Sequence, residues 1–239
     1  MITSFTRNDE RASAVAGFSG ISHTGIYTGF IAQAEIAEGK SGAQYLEIAF
    51  KCKQWKEKDA NGNVSEGTGD RVAFIRTYIT SKTGERTFGA DIIDAMMVCL
   101  GVSKMDAVKG VVYGRNASRD KSDQHQGYRL PDIEKKPIGL LIQREDRLYT
   151  DNTGVVRESF NLNILTPFDP ANGKCAREIL EKADKATVVE SRFATLKDKP
   201  VRSNAPVNDA AAYGAPAHQP AQTTGSAGMP PAPEPEDFF

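Results

Sequence analysis

The stretch AQYLEIAFKCKQW, residues 43–55, decides how the rest of the chain is read. Leu46, Ile48, Phe50 and Cys52 alternate with Tyr45, Glu47, Lys51, Lys53 and Trp55. A period of two marks a strand with one buried and one wet face. On its N-terminal side, Lys40-Ser41-Gly42 is a turn signal. Residues 25–38 before that turn alternate again, setting Ile26, Phe30, Ala34 and Ile36 against Tyr27, Ile31, Gln33 and Glu35. On its C-terminal side, residues 56–70 enclose Asn61-Gly62-Asn63 and read as a flexible hairpin loop. Residues 71–80 form a third strand, with Ala73, Ile75, Thr77 and Ile79 opposite Phe74, Arg76, Tyr78 and Thr80.

Beyond the turn at Lys82-Thr83-Gly84-Glu85 the period changes. Ile92, Ile93, Met96, Met97 and Leu100 recur at helical spacing, and Gly101 is placed to stop the helix. Residues 115–136 are polar, lack periodicity and read as a long loop. Residues 137–149 and 155–168 are two more strands, turning at Asp151-Asn152-Thr153-Gly154, with Phe160, Leu162 and Ile164 toward the core and Arg157, Asn161 and Asn163 away from it. Arg144 and Arg147 differ in parity and face opposite ways. Short helices are expected over 174–183 and 187–196. Three strands, a helix and two strands are the connectivity of the five-stranded Greek-key barrel, the OB-fold. The expected class is therefore mainly β: an OB-fold-like barrel over residues 1–202, with an N-terminal arm 1–20, followed by a tail.

The tail is set apart by composition. Residues 203–239 hold seven of the 12 prolines and no Leu, Ile or Trp, so they cannot bury enough apolar surface to offset ordering entropy. They are expected to be disordered. All 30 Lys and Arg lie before residue 203, while Asp209, Glu234, Glu236 and Asp237 lie after it. The body, with 30 bases against 27 acids, carries +3, and the tail carries −4. The segment ends in Glu236-Asp237-Phe238-Phe239, an acidic-aromatic tip of the kind a basic-rimmed pocket on a partner protein can receive.

Few residues suggest chemistry. There is no phosphate-loop or dinucleotide fingerprint. Cys52, Cys99 and Cys175 form no CxxC pair and read as reduced thiols, and His23, His125 and His218 are isolated, so neither a metal nor any other cofactor is expected. Asp91, Asp94, Glu145, Asp146 and Asp169 lack the spacing of a catalytic set, so no enzyme is expected. No apolar run spans a bilayer, and residues 1–20 lack the pattern of a secretory signal. The wet strand faces say more. Trp55, Phe74 and Tyr78 could stack on bases while Lys51, Lys53, Arg71, Arg76 and Lys82 neutralise phosphates, the combination a single-strand binder needs. The competing reading of the aromatics is burial under a helix or loop.

Stretches along nearly the whole body carry a resemblance. They are Phe5-Thr6-Arg7-Asn8-Asp9-Glu10-Arg11-Ala12, Gly25-Ile26-Tyr27-Thr28-Gly29, Asp94-Ala95-Met96-Met97-Val98-Cys99-Leu100, Lys136-Pro137-Ile138-Gly139-Leu140-Leu141-Ile142-Gln143-Arg144-Glu145, Pro167-Phe168-Asp169-Pro170 and Ala194-Thr195-Leu196-Lys197-Asp198-Lys199-Pro200. Through them the chain resembles single-stranded-DNA-binding proteins of tailed bacteriophages. The resemblance implies an OB-fold body that coats single strands during phage DNA replication, recombination and repair in the bacterial host cytoplasm. It also implies a tip that recruits replication or recombination proteins, although Phe238 stands where the bacterial tip has proline. A strand-annealing recombination protein and a phage interaction module without DNA are the rival readings. A homo-oligomer is compatible with all three.

Overall fold

The structure, a computed structural model, describes residues 19–114, 123–150 and 153–200. The tail and its tip, Glu236, Asp237, Phe238 and Phe239, lie outside the described residues, as does most of the N-terminal arm. Eight strands are described: β1 (Ser19–Gly20), β2 (Thr24–Glu38), β3 (Gln44–Lys58), β4 (Val64–Tyr78), β5 (Val108–Tyr113), β6 (Gln124–Arg129), β7 (Pro137–Thr150) and β8 (Val156–Phe168). Among the described residues three helices accompany them: α1 (Phe88–Leu100), α2 (Ala176–Leu180) and α3 (Val188–Thr195). The protein is mainly β, and no helix among the described residues is long and apolar enough to cross a membrane.

All eight strands belong to one sheet. Only the two-residue β1 pairs in parallel, with β4. The central strand is β2. One of its edges pairs with β3 along its whole length. Its other edge is divided: Gly25 to Phe30 pair with β7, and Glu35 and Ile36 pair with β6. The main path is β4-β3-β2-β7-β8, and β6-β5 branches from it. β4 and β8 lie against each other, yet among the described residues no ladder joins them, so the sheet is open.

Alternation explains most of the core. Leu46, Ile48, Phe50 and Cys52 of β3 and Ala73 and Ile75 of β4 are buried as expected. They meet Ile138, Leu140 and Ile142 of β7, and Ile92, Ile93 and Met96 of α1. Helix α1 contains the expected Ile92, Ile93, Met96, Met97 and Leu100, and Gly101 ends it at φ 63°, a left-handed conformation that favours glycine. A smaller cluster of Leu141, Phe168, Cys175, Val189 and Phe193 seats α2 and α3 on the other face of β7. Glu178 joins those two helices. Its buried carboxylate accepts hydrogen bonds from the backbone amides of Cys175 (3.0 Å), Thr187 (2.6 Å) and Val188 (3.0 Å). Burial works to raise its pKa, but these donors outweigh it and hold the carboxyl at about 2.

The structure corrects the expected strands and loops in four places. The loop expected over residues 56–70 shrinks to residues 59–63, because β3 and β4 stay paired out to Lys58 and Val64. The loop expected over 115–136 contains β6, which pairs with the equally unexpected β5. In β2, Ala32 falls outside the pairing between Ile31 and Gln33. The buried face therefore passes from Tyr27 and Ile31 to Ala34, mixing the two sets that strict alternation would separate. Finally, Phe160 is 37% exposed: β7 and β8 run past the start of β2 as a two-stranded ribbon, where the Arg144 guanidinium lies 4.5 Å from its ring.

Candidate nucleic-acid interface

One sheet face carries four of the eight sequence candidates, Lys51, Phe74, Arg76 and Tyr78. Register sets Tyr45 opposite Tyr78, Glu47 opposite Arg76, Ala49 opposite Phe74 and Lys51 opposite Val72. Directly opposed residues in an antiparallel pair share a face. These all lie on the side away from Leu46, Ile48 and Phe50. Phe30 of β2 pairs with Lys51 and extends the row. Arg76 and Lys51 are exposed, while Phe74, Tyr45 and Tyr78 are half-buried. The rings of Tyr45 and Tyr78 meet edge to face at 5.7 Å.

Arg76 is already engaged. Its guanidinium donates to Glu47 Oε2 through Nε (3.1 Å) and Nη2 (2.9 Å) and lies 4.0 Å from the Tyr45 ring. Burial works to lower its pKa, and the Glu47 carboxylate more than reverses this. An arginine can also stack on a planar ring, so Arg76 is suited to a base as well as to a phosphate. Lys53 forms an ion pair with Asp70. Lys82 is exposed on the turn after β4.

Two candidates lie off this face: Arg71 by plain alternation, since it shares the parity of the buried Ala73 and Ile75, and Trp55 because of a bulge. Cys52 pairs with Arg71, and the next aligned pair is Gln54 with Thr68, so Lys53 bulges out of β3, and Gly69 and Asp70 bulge out of β4. An extra residue moves every later side chain to the opposite face. Trp55 therefore turns inward, opposite the fully buried Tyr27, and packs on the core. Its ring covers Gly67, where a Cβ would lie 2.4 Å from the indole. The Arg71 guanidinium lies 3.7 Å from the same ring and bonds Glu57 at 2.5 Å. The Tyr27 hydroxyl, 3.1 Å from Glu57, completes the group, and burial followed by that carboxylate pushes its pKa up. Trp55 and Arg71 thus form a largely buried structural cluster, which corrects their expected place beside Lys51.

The open face is bounded at both ends. At one, Lys56 Nζ reaches Glu190 of α3 (2.9 Å), and a groove of about 530 Å³ runs between Thr28, Gln54, Thr68 and that helix. At the other, the β5–β6 hairpin lies over β2. Its His125 Nε2 is 2.6 Å from Glu35 Oε1, and Gln33 bonds both the amide (2.9 Å) and the carbonyl (3.0 Å) of Tyr113. Gly127 makes this approach possible, since a Cβ there would lie 2.2 Å from Glu35 Oε1. The sequence reading missed this hairpin. Its signals were the short alternation Lys109, Val111, Tyr113 and the Gly127-Tyr128 step inside a polar stretch.

Burial pushes the thiol of Cys52 up to about 11 and that of Cys99 up to about 12, keeping both protonated and unreactive at neutral pH. Among the described residues, no group of three or more His, Cys, Asp and Glu side chains is placed to hold a metal ion. Neither the protein-family models nor the curated proteins compared with the chain match it.

Proposed function

We propose that the chain binds single-stranded DNA with little sequence preference along the outer face of β2, β3 and β4. The observation that carries this reading is the register that sets Tyr45, Phe74 and Tyr78 together with Lys51 and Arg76 on one open face. Bases stack on such rings at roughly 1–3 kcal/mol each, and every base has a π-face to offer. The strand order β4-β3-β2-β7-β8, with α1 between β4 and β7, supports an OB-fold reading whose closing seam would be β4 against β8. In that fold the face of the second and third strands, here β3 and β4, is the one that takes oligonucleotides. On this proposal the protein coats single strands during phage DNA replication, recombination and repair in the host cytoplasm. Residues 203–239 would recruit partner proteins through Glu236, Asp237, Phe238 and Phe239.

The test is binding to an oligothymidylate of about 30 nucleotides and to a duplex of equal length, at about 50 and about 200 mM salt. The single strand should bind far more tightly and lose affinity steeply with salt, and a chain ending at Arg202 should bind as well as the full one. Equal binding to the duplex, or no binding at the lower salt, would remove the reading. Accelerated annealing of complementary strands would move it to a strand-annealing protein.

A further inference from the structure

We propose that the β5–β6 hairpin is a second single-strand contact surface, its outward face taking the strand as it leaves the β3–β4 platform. This rests on the single-strand reading and adds a site to it.

The hairpin has two unlike faces. Register pairs Val108 with Arg129, Gly110 with Gly127 and Val112 with His125 on one face, which meets the body through Val112, His125, Gly127 and Arg129 while Val108 is exposed. Val112 is buried, Gly127 sits against the Glu35 carboxylate, and Arg129 Nε donates to Glu134 Oε1 at 3.0 Å. That carboxylate oxygen also accepts from the Ala34 amide at 3.1 Å. With the Gln33 and His125 contacts, these bonds fix the hairpin to β2 at both its ends.

The opposite face consists of Lys109, Val111 and Tyr113 on β5 and Gln124, Gln126 and Tyr128 on β6. Tyr113 is 54% and Tyr128 56% exposed, although both sit on paired strands. They are on opposite corners of the ribbon, roughly 13 Å apart along it. The face carries one cation and no carboxylate, whereas Lys53, Arg76 and Arg129 each have an acidic partner. A lysine with no acidic partner among the described residues, directly opposite one exposed ring and on the same face as the other, suits a polyanion whose bases are free to stack. The amides of Gln124 and Gln126 can both donate to and accept from base edges.

The position also suits the path. Gln33 and Glu35, which seat the hairpin, pair with Ala49 and Glu47 of β3, and these pair with Phe74 and Arg76 of β4. One step along the sheet thus separates the platform from the hairpin. A short single strand is satisfied by the platform alone, and a longer one reaches the two tyrosines.

The experiment compares the full chain with its Tyr113→Ala/Tyr128→Ala and Tyr113→Phe/Tyr128→Phe variants. Each is titrated with oligothymidylates of about 8 and about 30 nucleotides. The alanine pair should match the wild type within about twofold on the short probe and lose about tenfold or more on the long one. The phenylalanine pair should retain wild-type affinity on both. Ultraviolet cross-linking of the wild type to the long probe should reach Tyr113 or Tyr128. An alanine pair that equals the wild type on both probes would overturn the hairpin site and leave the platform standing. So would equal loss on both probes, a phenylalanine pair that loses affinity, or cross-links confined to residues outside 108–129, as for a hairpin face that serves a protein partner. A wild type that binds neither probe would overturn both readings.

Discussion

Trp55 and Tyr78 lie on the same pair of hydrogen-bonded strands, and they do opposite things. Tyr78 stands on the outer face beside Tyr45, in line with Phe74 and Arg76. Trp55, past the bulge at Lys53, turns into the core under Arg71 and over Gly67. The cations differ in the same way. Arg76 is exposed and lies on a ring at the surface, while the Arg71 side chain is only 15% exposed and is tied to Glu57. An aromatic beside a basic residue is a platform or a structural brace according to its face, and for Trp55 one extra residue in the strand decides the face.

The contrast between Arg71 and Arg76 bears first on stability. Arg71→Ala removes one partner of a mostly buried ion pair and uncovers the indole. It should cost about 3 kcal/mol in urea unfolding, because the Glu57 charge is left buried with the Tyr27 hydroxyl as its remaining partner among the described residues. Single-strand affinity of the folded variant should stay within about threefold, since Arg71 is assigned no phosphate. Unchanged stability with lost affinity would put Arg71 back on the interface with Lys51.

A smaller effect separates the two ends of the sheet by pH. Glu178 holds α2 to α3, and α3 closes the Trp55 end through Glu190 and Lys56. Its carboxyl sits at about 2 in the folded protein, below its ordinary 4.5. A depressed carboxyl contributes stability that is full above the unfolded value and fades as pH falls through the folded one. Stability should therefore drop as pH falls from about 4.5 to about 2, and Glu178→Gln should flatten that window. Trp55, the chain's only tryptophan, should report loosening of α3 by its fluorescence. An identical acid profile in the variant would show that Glu178 is not the latch.

Much of the fold was legible because its signals are local. The bounds of α1, the faces of β3 before residue 53, and strands β7 and β8 follow from periods of two and 3.6 over long windows. The opposite facing of Arg144 and Arg147 follows from parity alone and agrees with the β7–β8 register. Bulges at Ala32 and Lys53 were not legible, since nothing in AQAE or KCKQW marks a residue that pairing will skip. That is why Phe74 and Tyr78 were placed on the correct face and Trp55 was not. The β5–β6 hairpin escaped for another reason. Its body-facing side consists of Val108, Gly110, Val112, His125, Gly127 and Arg129, with Val112 alone of these buried, and its apolar content is too thin to show a period. What fixes it is a set of long-range bonds from Gln33, Glu35 and Glu134 that no window of sequence contains.

The most direct measurement titrates an oligothymidylate of about 30 nucleotides into the wild type, the Phe74→Ala/Tyr78→Ala variant and the Trp55→Phe variant, side by side at low salt. The platform variant should lose about tenfold or more in affinity with little change in unfolding midpoint, and Trp55→Phe should bind within about threefold of the wild type. The reverse pattern, with affinity lost at Trp55 and kept at Phe74 and Tyr78, would contradict the assignment of the outer face of β3 and β4 as the single-strand platform.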